Sequence, residues 1–589
     1  MIAGWSEPQL PAITWQLGLG LFVGFLGLAT WQENLRGQLD WLHQQLGFYR
    51  RMSARCEREW KDLPALPTES IASSYANDLS RDIDLFGDRS LFRWFSLAVT
   101  ESGARTIAEW MGTWRTSDVL AERQDAVREL ASSREWREAF WEAALGFRGC
   151  DTSPEKLAEW GTSPSMFKKL PWLSVASWIG PTLAVAGIIL MIASGILQIA
   201  ILFNVGFVSF LVGVSFNLLL TIAVVGRIHD LFVQIGNANR ELNSFATLMG
   251  LGEQLKPKSP LLVRIQAGLF EGGTPATEAI GQLQRRMSFA GIQRNPLFFI
   301  PYWFLQLILL WDLRVLSSLE AWKSKHGRKI PVWLDSLGEL EAVISGAAVA
   351  DENPDWSYPR WTDTSVRSLT ISGLGHPLLS DDKRVCNDLE MDESKPLLLV
   401  TGSNMAGKST LLRSVGINTI LGRLGSPVAC GSWQGPNCEV ASSIRVQDSL
   451  QDGVSFFMAE LKRLRSLVDA TRNHQQGETS GQKDSGRVML LLLDEILQGT
   501  NSRERQIAVE QVLEQLVDLG GLVLASTHDL ELATCPGVSR TAQIVHFREF
   551  FETVDGIERM RFDYRMRAGV TPTTNALKLL EMVGLGKGR

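Results

Sequence analysis

Residues 396–410 read PLLLVTGSNMAGKST, an apolar strand that runs into a glycine-rich loop. The spacing from Gly402 to Gly407, Lys408 and Ser409 fits the complete P-loop pattern. Glycines let successive backbone N–H groups converge on an anion, and the helix predicted over Leu411–Leu421 directs its positive end at the same point. This stretch therefore predicts a nucleotide-binding site in an α/β domain.

The loop residues have distinct predicted roles. Lys408 reaches the terminal phosphates of a nucleotide, and the hydroxyl of Ser409 is a ligand for Mg²⁺. ATP and Mg²⁺ are therefore the predicted cofactors. The other loop residues that we expect to contact the nucleotide are Gly402, Ser403, Asn404, Met405, Ala406, Gly407 and Thr410.

A second buried strand ends in two acids. Residues 488–495 read VMLLLLDE, and six consecutive apolar residues are typical of a parallel strand covered on both faces. Asp494 is predicted to hold Mg²⁺, directly or through water, and Glu495 to act as the general base on the attacking water. The alternative is an acidic strand end that caps a helix.

A third apolar strand, Gly521–Thr527, is followed by His528. A histidine at this place after such a strand is predicted to sense the γ-phosphate. A single histidine is also often structural, and the sequence leaves that alternative open.

The composition describes a globular protein of several domains, with 589 residues, 45% apolar and 21% charged. A net charge of −6 gives no general indication of nucleic-acid binding. The six cysteines are scattered, without a Cys-x-x-Cys pair, so that neither a zinc site nor a disulfide framework is indicated. They are typical of reduced thiols in a cytosolic protein.

Two uncharged stretches depart from this composition. Ile13–Trp31 has 19 residues, about 28 Å as a helix, with a tryptophan near each end and no preceding Lys or Arg. Pro171–Gly226 is long enough for two crossings, roughly Ser177–Leu197 and Gly206–Val225, joined near Gln198–Val205. Three transmembrane spans are therefore predicted, and a buried hairpin of a soluble protein is the alternative for the second stretch.

Charges beside the spans predict their orientation. Arginines follow the first span, Lys168 and Lys169 precede the second, and Arg227 follows the third. These flanks are expected in the cytoplasm with the N-terminus outside, as in a multi-pass membrane protein. Pro296–Trp311 has two prolines and Gln306, and as a fourth crossing it would leave the P-loop outside. It is predicted to be a buried or membrane-surface helix.

The remaining segments carry weaker signals. Residues 34–170 and 228–290 are predicted to be helical, with apolar residues of the second segment at three-to-four spacing. His474–Arg487 is polar and rich in Gly and Ser, which predicts a surface loop.

With these motifs in place, the chain resembles the MutS family of ATPases over most of residues 80–150 and 370–589. The matching segments are Gly103–Leu130, Gly375–Leu379, Thr401–Thr410, Ser455–Leu461, Asp494–Ser502 and Ser526–His528. Ser403 in place of proline is the main departure in the P-loop.

The resemblance implies an ATPase of the ABC-like class that works as a homodimer with two composite sites. One chain supplies its P-loop, Asp494, Glu495 and His528, and the other presents Ser455 and its loop to the γ-phosphate. Tyr564 aligns with an aromatic position of the family that stacks on adenine. The second aromatic residue is replaced near Val385–Asn387, which alters that face of the base pocket.

The resemblance is partial in a way that bears on function. Nothing in the chain corresponds to the family's mismatch-reading domain, and the uncharged hairpin stands where DNA-repair members insert a DNA clamp. A membrane span cannot also be a cationic clamp for phosphate. Mismatch recognition is therefore not expected, and DNA is a possible partner without mismatch specificity.

The predicted fold is an α/β P-loop ATPase domain of the ABC/MutS type, preceded by an all-α lever and core domain that a transmembrane helical hairpin interrupts. The predicted function is that of a membrane-anchored MutS-like ATPase. The alternatives are a membrane-tethered module that binds DNA structures and an ABC-transporter-like ATPase. The predicted domains are an anchor at 1–33, a helical core at 34–170, the hairpin at 171–227, a second core part at 228–350 and the ATPase domain at 360–589.

Overall fold

The computed structural model describes residues 12–63, 74–145, 154–237, 239–290, 299–363, 365–445, 456–479, 487–497, 502–554 and 557–571. The chain divides into two units, 1–64 and 65–589. In the first unit, helix α1 runs without interruption from Ala12 to Glu57. The predicted boundary between an anchor and a core at residue 33 therefore falls inside one helix.

The second unit begins with a helical region on both sides of an apolar hairpin. Its helices are α2 (Asp78–Asp82), α3 (Leu91–Phe95), α4 (Glu101–Gly112), α5 (Ser117–Ala131), α6 (Arg134–Ala144), α7 (Pro154–Thr162), α8 (Met166–Lys169), α9 (Pro171–Leu197), α10 (Ala200–Asn237), α11 (Asn239–Glu253), α12 (Pro260–Leu269), α13 (Ala276–Ala290), α14 (Phe299–Leu309), α15 (Trp311–His326) and α16 (Ile330–Glu352). The all-α character predicted for this part of the chain is confirmed.

Helix α16 forms the centre of the helical region. It contacts α4, α5 and α12, and its residues from Leu340 to Val349 are buried on every side. A helix that is apolar all round is stable only inside a protein. Short polar caps fix the helices around it, as where the side chain of Thr100 accepts a hydrogen bond from the Gly103 amide at the start of α4.

Helices α9 and α10 form a close antiparallel pair. A Cβ at Gly187 would lie 2.6 Å from the Gly206 carbonyl oxygen, and one at Gly213 would lie 2.5 Å from the Ala184 nitrogen. Only glycine permits this separation of the two backbones. The helices are joined at Gln198, which has a φ of 57°. The long connection predicted over 198–205 is wrong, since α10 already begins at Ala200.

Two helices among the described residues are long and apolar enough to cross a membrane. They are Pro171–Leu197 and Ala200–Val224, with mean hydropathies of 2.1 and 2.2. Only their length and composition support a membrane crossing, so the predicted transmembrane hairpin has weak support. The first predicted span, Ile13–Trp31, lies in the longer helix α1 and is not one of these two, so three spans are not supported.

Helix α14 has one face against the hairpin and one exposed face. The Gln306 amide donates a hydrogen bond of 2.9 Å to the Thr221 hydroxyl, and the fully buried Asn217 amide donates one of 2.7 Å to the Leu307 carbonyl. On the other face, Phe304 is 64% exposed. With a length of about 16 Å, α14 is too short to cross a membrane.

The ATPase-type domain is built on a six-stranded sheet of order β12-β9-β4-β8-β7-β6, parallel except for β12. A second sheet has the order β1-β5-β2-β3, and β10 and β11 form a hairpin. The strands are β1 (Arg360–Thr362), β2 (Leu369–Leu374), β3 (Asn387–Met391), β4 (Leu397–Thr401), β5 (Ser432–Pro436), β6 (Cys438–Ser443), β7 (Val488–Asp494), β8 (Leu522–Thr527), β9 (Ala542–His546), β10 (Glu549–Val554), β11 (Ile557–Phe562) and β12 (Arg567–Ala568), and the helices are α17 (Lys408–Arg423), α18 (Phe456–Thr479), α19 (Ser502–Asp518) and α20 (Pro536–Thr541).

The register of the central strands brings their carboxyl ends to one edge. Thr401 of β4 is paired with Thr527 of β8, and Asp494 of β7 is paired with Ser526. Strands β4, β7 and β8 are almost fully buried, as expected for a parallel sheet covered on both faces. The three predicted strands are therefore neighbours, and the loops that follow them meet.

The surface loop predicted over His474–Arg487 is wrong in its first part. Helix α18 continues to Thr479, and the His474 ring lies 3.3 Å from the Glu439 carboxylate. This contact and the buried Thr471 one turn earlier show that the helix still packs on the domain here. Residues 480–486 lie outside the described part.

Candidate nucleotide site

The P-loop has the backbone geometry that its glycines predict. Gly402 and Gly407 have φ values of 127° and 105°, a region that favours glycine. A Cβ at Gly402 would also lie 2.5 Å from the Phe547 carbonyl oxygen. Between them, Asn404–Ala406 form a 3₁₀ turn, and α17 begins directly after the loop. The N-terminus of a helix at this place is suited to binding an anion.

Lys408 is held inside the loop. Its side chain is 1% exposed, and its Nζ donates hydrogen bonds to the Gly402 carbonyl at 2.6 Å and to Glu495 Oε1 at 3.0 Å. A buried ammonium group requires such partners. The predicted phosphate-binding cation and the predicted general base are therefore in direct contact.

The two acids occupy the end of β7 as predicted, and they have different surroundings. The Ser526 hydroxyl donates a hydrogen bond to Asp494, and the Glu495 amide donates one of 3.1 Å to the Ser526 carbonyl. Glu495 has a φ of 48°, which is uncommon for a residue with a side chain and is often found at functional sites. Ser526 thus orients the Asp494 carboxylate through its hydroxyl and fixes the backbone of Glu495 through its carbonyl, a role that sequence reasoning missed.

His528 completes the group at this edge of the sheet. Its Nδ1 lies 3.5 Å from Glu495 Oε2, and its side chain is about half exposed. Glu495 therefore lies between Lys408 and His528, with one carboxylate oxygen towards each. The exposed ring can reach a ligand that enters from solvent.

The remaining predicted residues lie around this group. Ser409 and Thr410 are in the first turn of α17, Ser403 donates a hydrogen bond to Glu549, and the Met405 side chain is largely exposed. Ser455, predicted to act on a partner's nucleotide, lies outside the described residues.

Tyr564 lies beside the P-loop, where a base could stack. A Cβ at Gly407 would be 3.1 Å from Tyr564 Cδ1, and Tyr564 has a φ of 53°. Asn387 fixes the loop that carries it. The Asn387 amide donates to the Tyr564 carbonyl at 3.0 Å, and its oxygen accepts from the Met566 amide at 2.7 Å. The segment near Asn387, where the sequence predicts an altered face of the pocket, thus provides the side chain that fixes the loop carrying Tyr564.

These residues fit Mg²⁺ and a nucleoside triphosphate. Among the described residues no group of three or more His, Cys, Asp or Glu could hold a metal ion alone. Magnesium at nucleotide sites commonly takes one or two protein ligands and completes its shell with phosphate and water. Ser409 and Asp494 would supply those ligands, and Lys408 would supply the positive charge for phosphate.

The parallel sheet, the glycine loop and the paired acids define a P-loop domain of the ATPase-like α/β class. Residues 398–588 match the family model described as MutS domain V. The carboxy-terminal part of the chain is therefore similar to domain V of the MutS family.

Curated relatives match the same part of the chain. The DNA mismatch repair protein MutS of Natronomonas pharaonis is 29% identical over 42% of this chain and 27% of its own length. The DNA mismatch repair protein MSH6 of Arabidopsis thaliana is 29% identical over 44% of this chain and 20% of its own length. The human MutS protein homolog 4 is 28% identical over 43% of this chain and 26% of its own length. The chain thus spans about a quarter of the length of these relatives.

Proposed function

We propose that this chain is a membrane-anchored MutS-like ATPase that hydrolyses ATP with Mg²⁺ in a composite site of a homodimer. The observation that carries the proposal is the contact of Glu495 with both Lys408 and His528 at the mouth of the P-loop. A cation for phosphate, a carboxylate for Mg²⁺ and a second carboxylate for water meet at one edge of the sheet.

The residues have separate tasks in this proposal. The triphosphate supplies an anion that competes with Glu495 for Lys408. Lys408 then binds phosphate, and Glu495 is released to accept a proton from the attacking water. Asp494, oriented by Ser526, would hold Mg²⁺ together with Ser409. His528 donates a hydrogen bond near the terminal phosphate.

The homodimer is the part of the proposal that follows from the family resemblance. A second copy would present Ser455 to the γ-phosphate, so that ATP binding and closure of the dimer are coupled. Closure would move the helical region, because α4 contacts α17, the helix that follows the P-loop, and α2 contacts β6.

Membrane anchoring is supported by the exposed apolar surface of the hairpin. Trp178, Ile189, Ile196, Phe203 and Leu219 are large side chains exposed on α9 and α10. Water would solvate this surface poorly, whereas lipid would cover it. In this proposal the ATPase domain and both flanks of the hairpin are cytoplasmic, and the hairpin tip lies outside.

The test uses the full chain purified in detergent, with Lys408→Ala and Glu495→Gln as variants. The parent chain is expected to bind and hydrolyse ATP. Lys408→Ala should lose binding, because the phosphate loses its buried cation. Glu495→Gln should retain binding and accumulate a dimer with ATP, because only the proton acceptor is removed.

The measurements are equilibrium nucleotide binding, phosphate release and light scattering of the eluted species. The proposal would be contradicted by a parent chain that neither binds nor hydrolyses ATP, or by a Glu495→Gln variant that hydrolyses ATP at the parent's rate.

DNA is a candidate partner, since two of the relatives are named as DNA mismatch repair proteins. Phosphate contacts would make DNA affinity fall steeply as salt rises. A filter-binding titration with branched and linear duplexes measures this, and no binding at low salt would remove DNA from the proposal.

A further inference from the structure

The end of α2 and the residues directly after it contact the ATPase domain through two acids, Asp82 and Asp84. Asp82 is fully buried. Its Oδ2 accepts hydrogen bonds from the Ser442 hydroxyl at 2.8 Å and the Ile444 amide at 3.1 Å, and its Oδ1 accepts one from the Arg445 amide at 2.9 Å. The carboxylate therefore holds the end of β6.

Asp82 also holds the helix that follows in the ATPase domain. Arg463 of α18 places its Nη2 2.6 Å from Asp82 Oδ2 and donates from Nε to the Ser442 carbonyl at 3.0 Å. A buried carboxylate with this many donors has little freedom to move without leaving one of them unsatisfied. One side chain of the helical region thus joins β6 to α18.

Asp84 extends these contacts to the helix of the P-loop. It pairs with Arg445 at 2.7 Å and lies 3.7 Å from Arg413 of α17. Burial lowers the pKa of the Arg413 guanidinium, Arg445 lowers it further, and Asp84 and Asp494 oppose both effects. The charge of Arg413 therefore interacts with Asp84 of the helical region and with Asp494, the acid proposed to hold Mg²⁺.

We propose that Asp82 and Asp84 are positioning residues through which the helical region sets the alignment of β6, α17 and α18, and with it the rate of ATP hydrolysis. This inference rests on the proposed function, because it assumes that the site hydrolyses ATP. The described side-chain contacts of the two acids go to β6 and the residues after it, to α17 and to α18. Their effect reaches the site through Arg413, Arg445 and Arg463.

Burial sets the energetic weight of Asp82 apart from that of an exposed acid. Exposed ion pairs contribute little, whereas removal of the charge from a buried, hydrogen-bonded carboxylate leaves its donors poorly satisfied. Asp78 offers a matched comparison on the same helix. It pairs with Arg463 at 2.8 Å, but its side chain is about half exposed.

The experiment compares Asp82→Asn, Asp84→Asn and Asp84→Glu with the control Asp78→Asn, all in the full chain in detergent. The two Asn variants are expected to lower kcat on the order of tenfold while the Kd for a fluorescent ATP analogue stays within about twofold. Asp84 has room for a longer side chain, because it is partly exposed, so Asp84→Glu should keep most of the parent's kcat. Asp78→Asn should match the parent.

Thermal unfolding of each variant separates positioning from folding. If Asp82→Asn unfolds early, the Asp84 series decides, since its pairs are partly exposed. If the parent hydrolyses ATP, and Asp82→Asn and Asp84→Asn have the same kcat as Asp78→Asn, this inference alone is overturned. The inference is also overturned if the Kd rises as kcat falls, because the variants would then have lost nucleotide binding. A parent without hydrolysis overturns the proposed function and this inference with it.

Discussion

Glu495 illustrates how single residues set the chemistry of the site. Its carboxylate contacts Lys408 on one side and His528 on the other, while its positive φ turns the chain away from β7. A base held between two nitrogen groups can change partners without a large movement. This arrangement places the proton acceptor and the phosphate-binding cation in competition for each other.

Tyr564 gives a prediction about the base pocket. Replacing Tyr564 with Leu should weaken ATP binding by about three- to tenfold, because an aliphatic side chain cannot stack on adenine, whereas Tyr564→Phe should leave the Kd within about twofold. Fluorescence titration with an ATP analogue measures both values. Equal affinities for the Leu variant and the parent would show that the ring lies beside the P-loop without contacting the base.

The sequence was sufficient to name the site residues that follow an apolar strand. Asp494, Glu495 and His528 stand at the ends of such strands, and Lys408 follows the loop after another. Parallel strands bring those ends together. Ser526 and Asn387 could not be found in this way. Ser526 acts through its pairing with Asp494 across the sheet, and Asn387 acts on a loop that is 177 residues away in the chain.

At the scale of elements, the joint between α16 and α4 depends on one buried acid. Glu341 accepts hydrogen bonds from the Val99 amide at 2.9 Å, the Thr100 amide at 3.3 Å and the Thr100 hydroxyl. Burial raises the pKa of its carboxyl group from 4.5 to about 7, although the hydrogen bonds act in the opposite direction. The joint is therefore sensitive to pH near neutrality.

The sign of this sensitivity follows from proton linkage. The folded chain keeps the proton to about pH 7 and the unfolded chain releases it near pH 4.5, so the free energy of unfolding falls as pH rises between these values. The loss is at most about 3 kcal/mol. Glu341→Gln should remove this slope. Melting temperatures from pH 5 to 8 measure it, with the exposed Glu109→Gln as the control. The same slope in parent and Glu341→Gln would refute the prediction.

Apolar periodicity predicted the helices well but located their ends poorly. The uncharged composition of residues 198–205 predicts a connection with Asn204 and Gly206 near its end, but the chain reverses at Gln198 instead. Residues 474–479 were assigned to a loop because they are polar. The helix continues there because its preceding turns pack on the domain through Leu464, Leu467 and Val468. Tertiary contacts override local composition in both places.

At the scale of the whole molecule, the orientation of the chain in a membrane is testable by labelling. Gln198 at the hairpin tip is exposed, and Ser324 on α15 is exposed in the helical region. In intact cells, a membrane-impermeant maleimide should modify Gln198→Cys and not Ser324→Cys, because the flanks of the hairpin are expected in the cytoplasm.

The background for this test is a chain in which the exposed Cys56 and Cys386 are replaced by Ser. Lysed cells should show labelling of both engineered cysteines, which controls for reactivity. The reverse pattern, or recovery of the whole chain in the soluble fraction, would contradict the proposed topology. The length of the stretches without charged residues is enough to predict the spans from the sequence. The sequence could not show that α14 lies on the hairpin, because that contact depends on Gln306 meeting Thr221 from a distant helix.

The close approach of Gly187, Gly206 and Gly213 limits how the hairpin can respond to a force. Its helices cannot slide past each other without backbone collisions, so a push at the base is expected to tilt the two helices together. Over the roughly 40 Å length of α9, a tilt of about 10° displaces the tip by about 7 Å. A small rotation near the base of the hairpin therefore produces a large displacement of Gln198 at its tip.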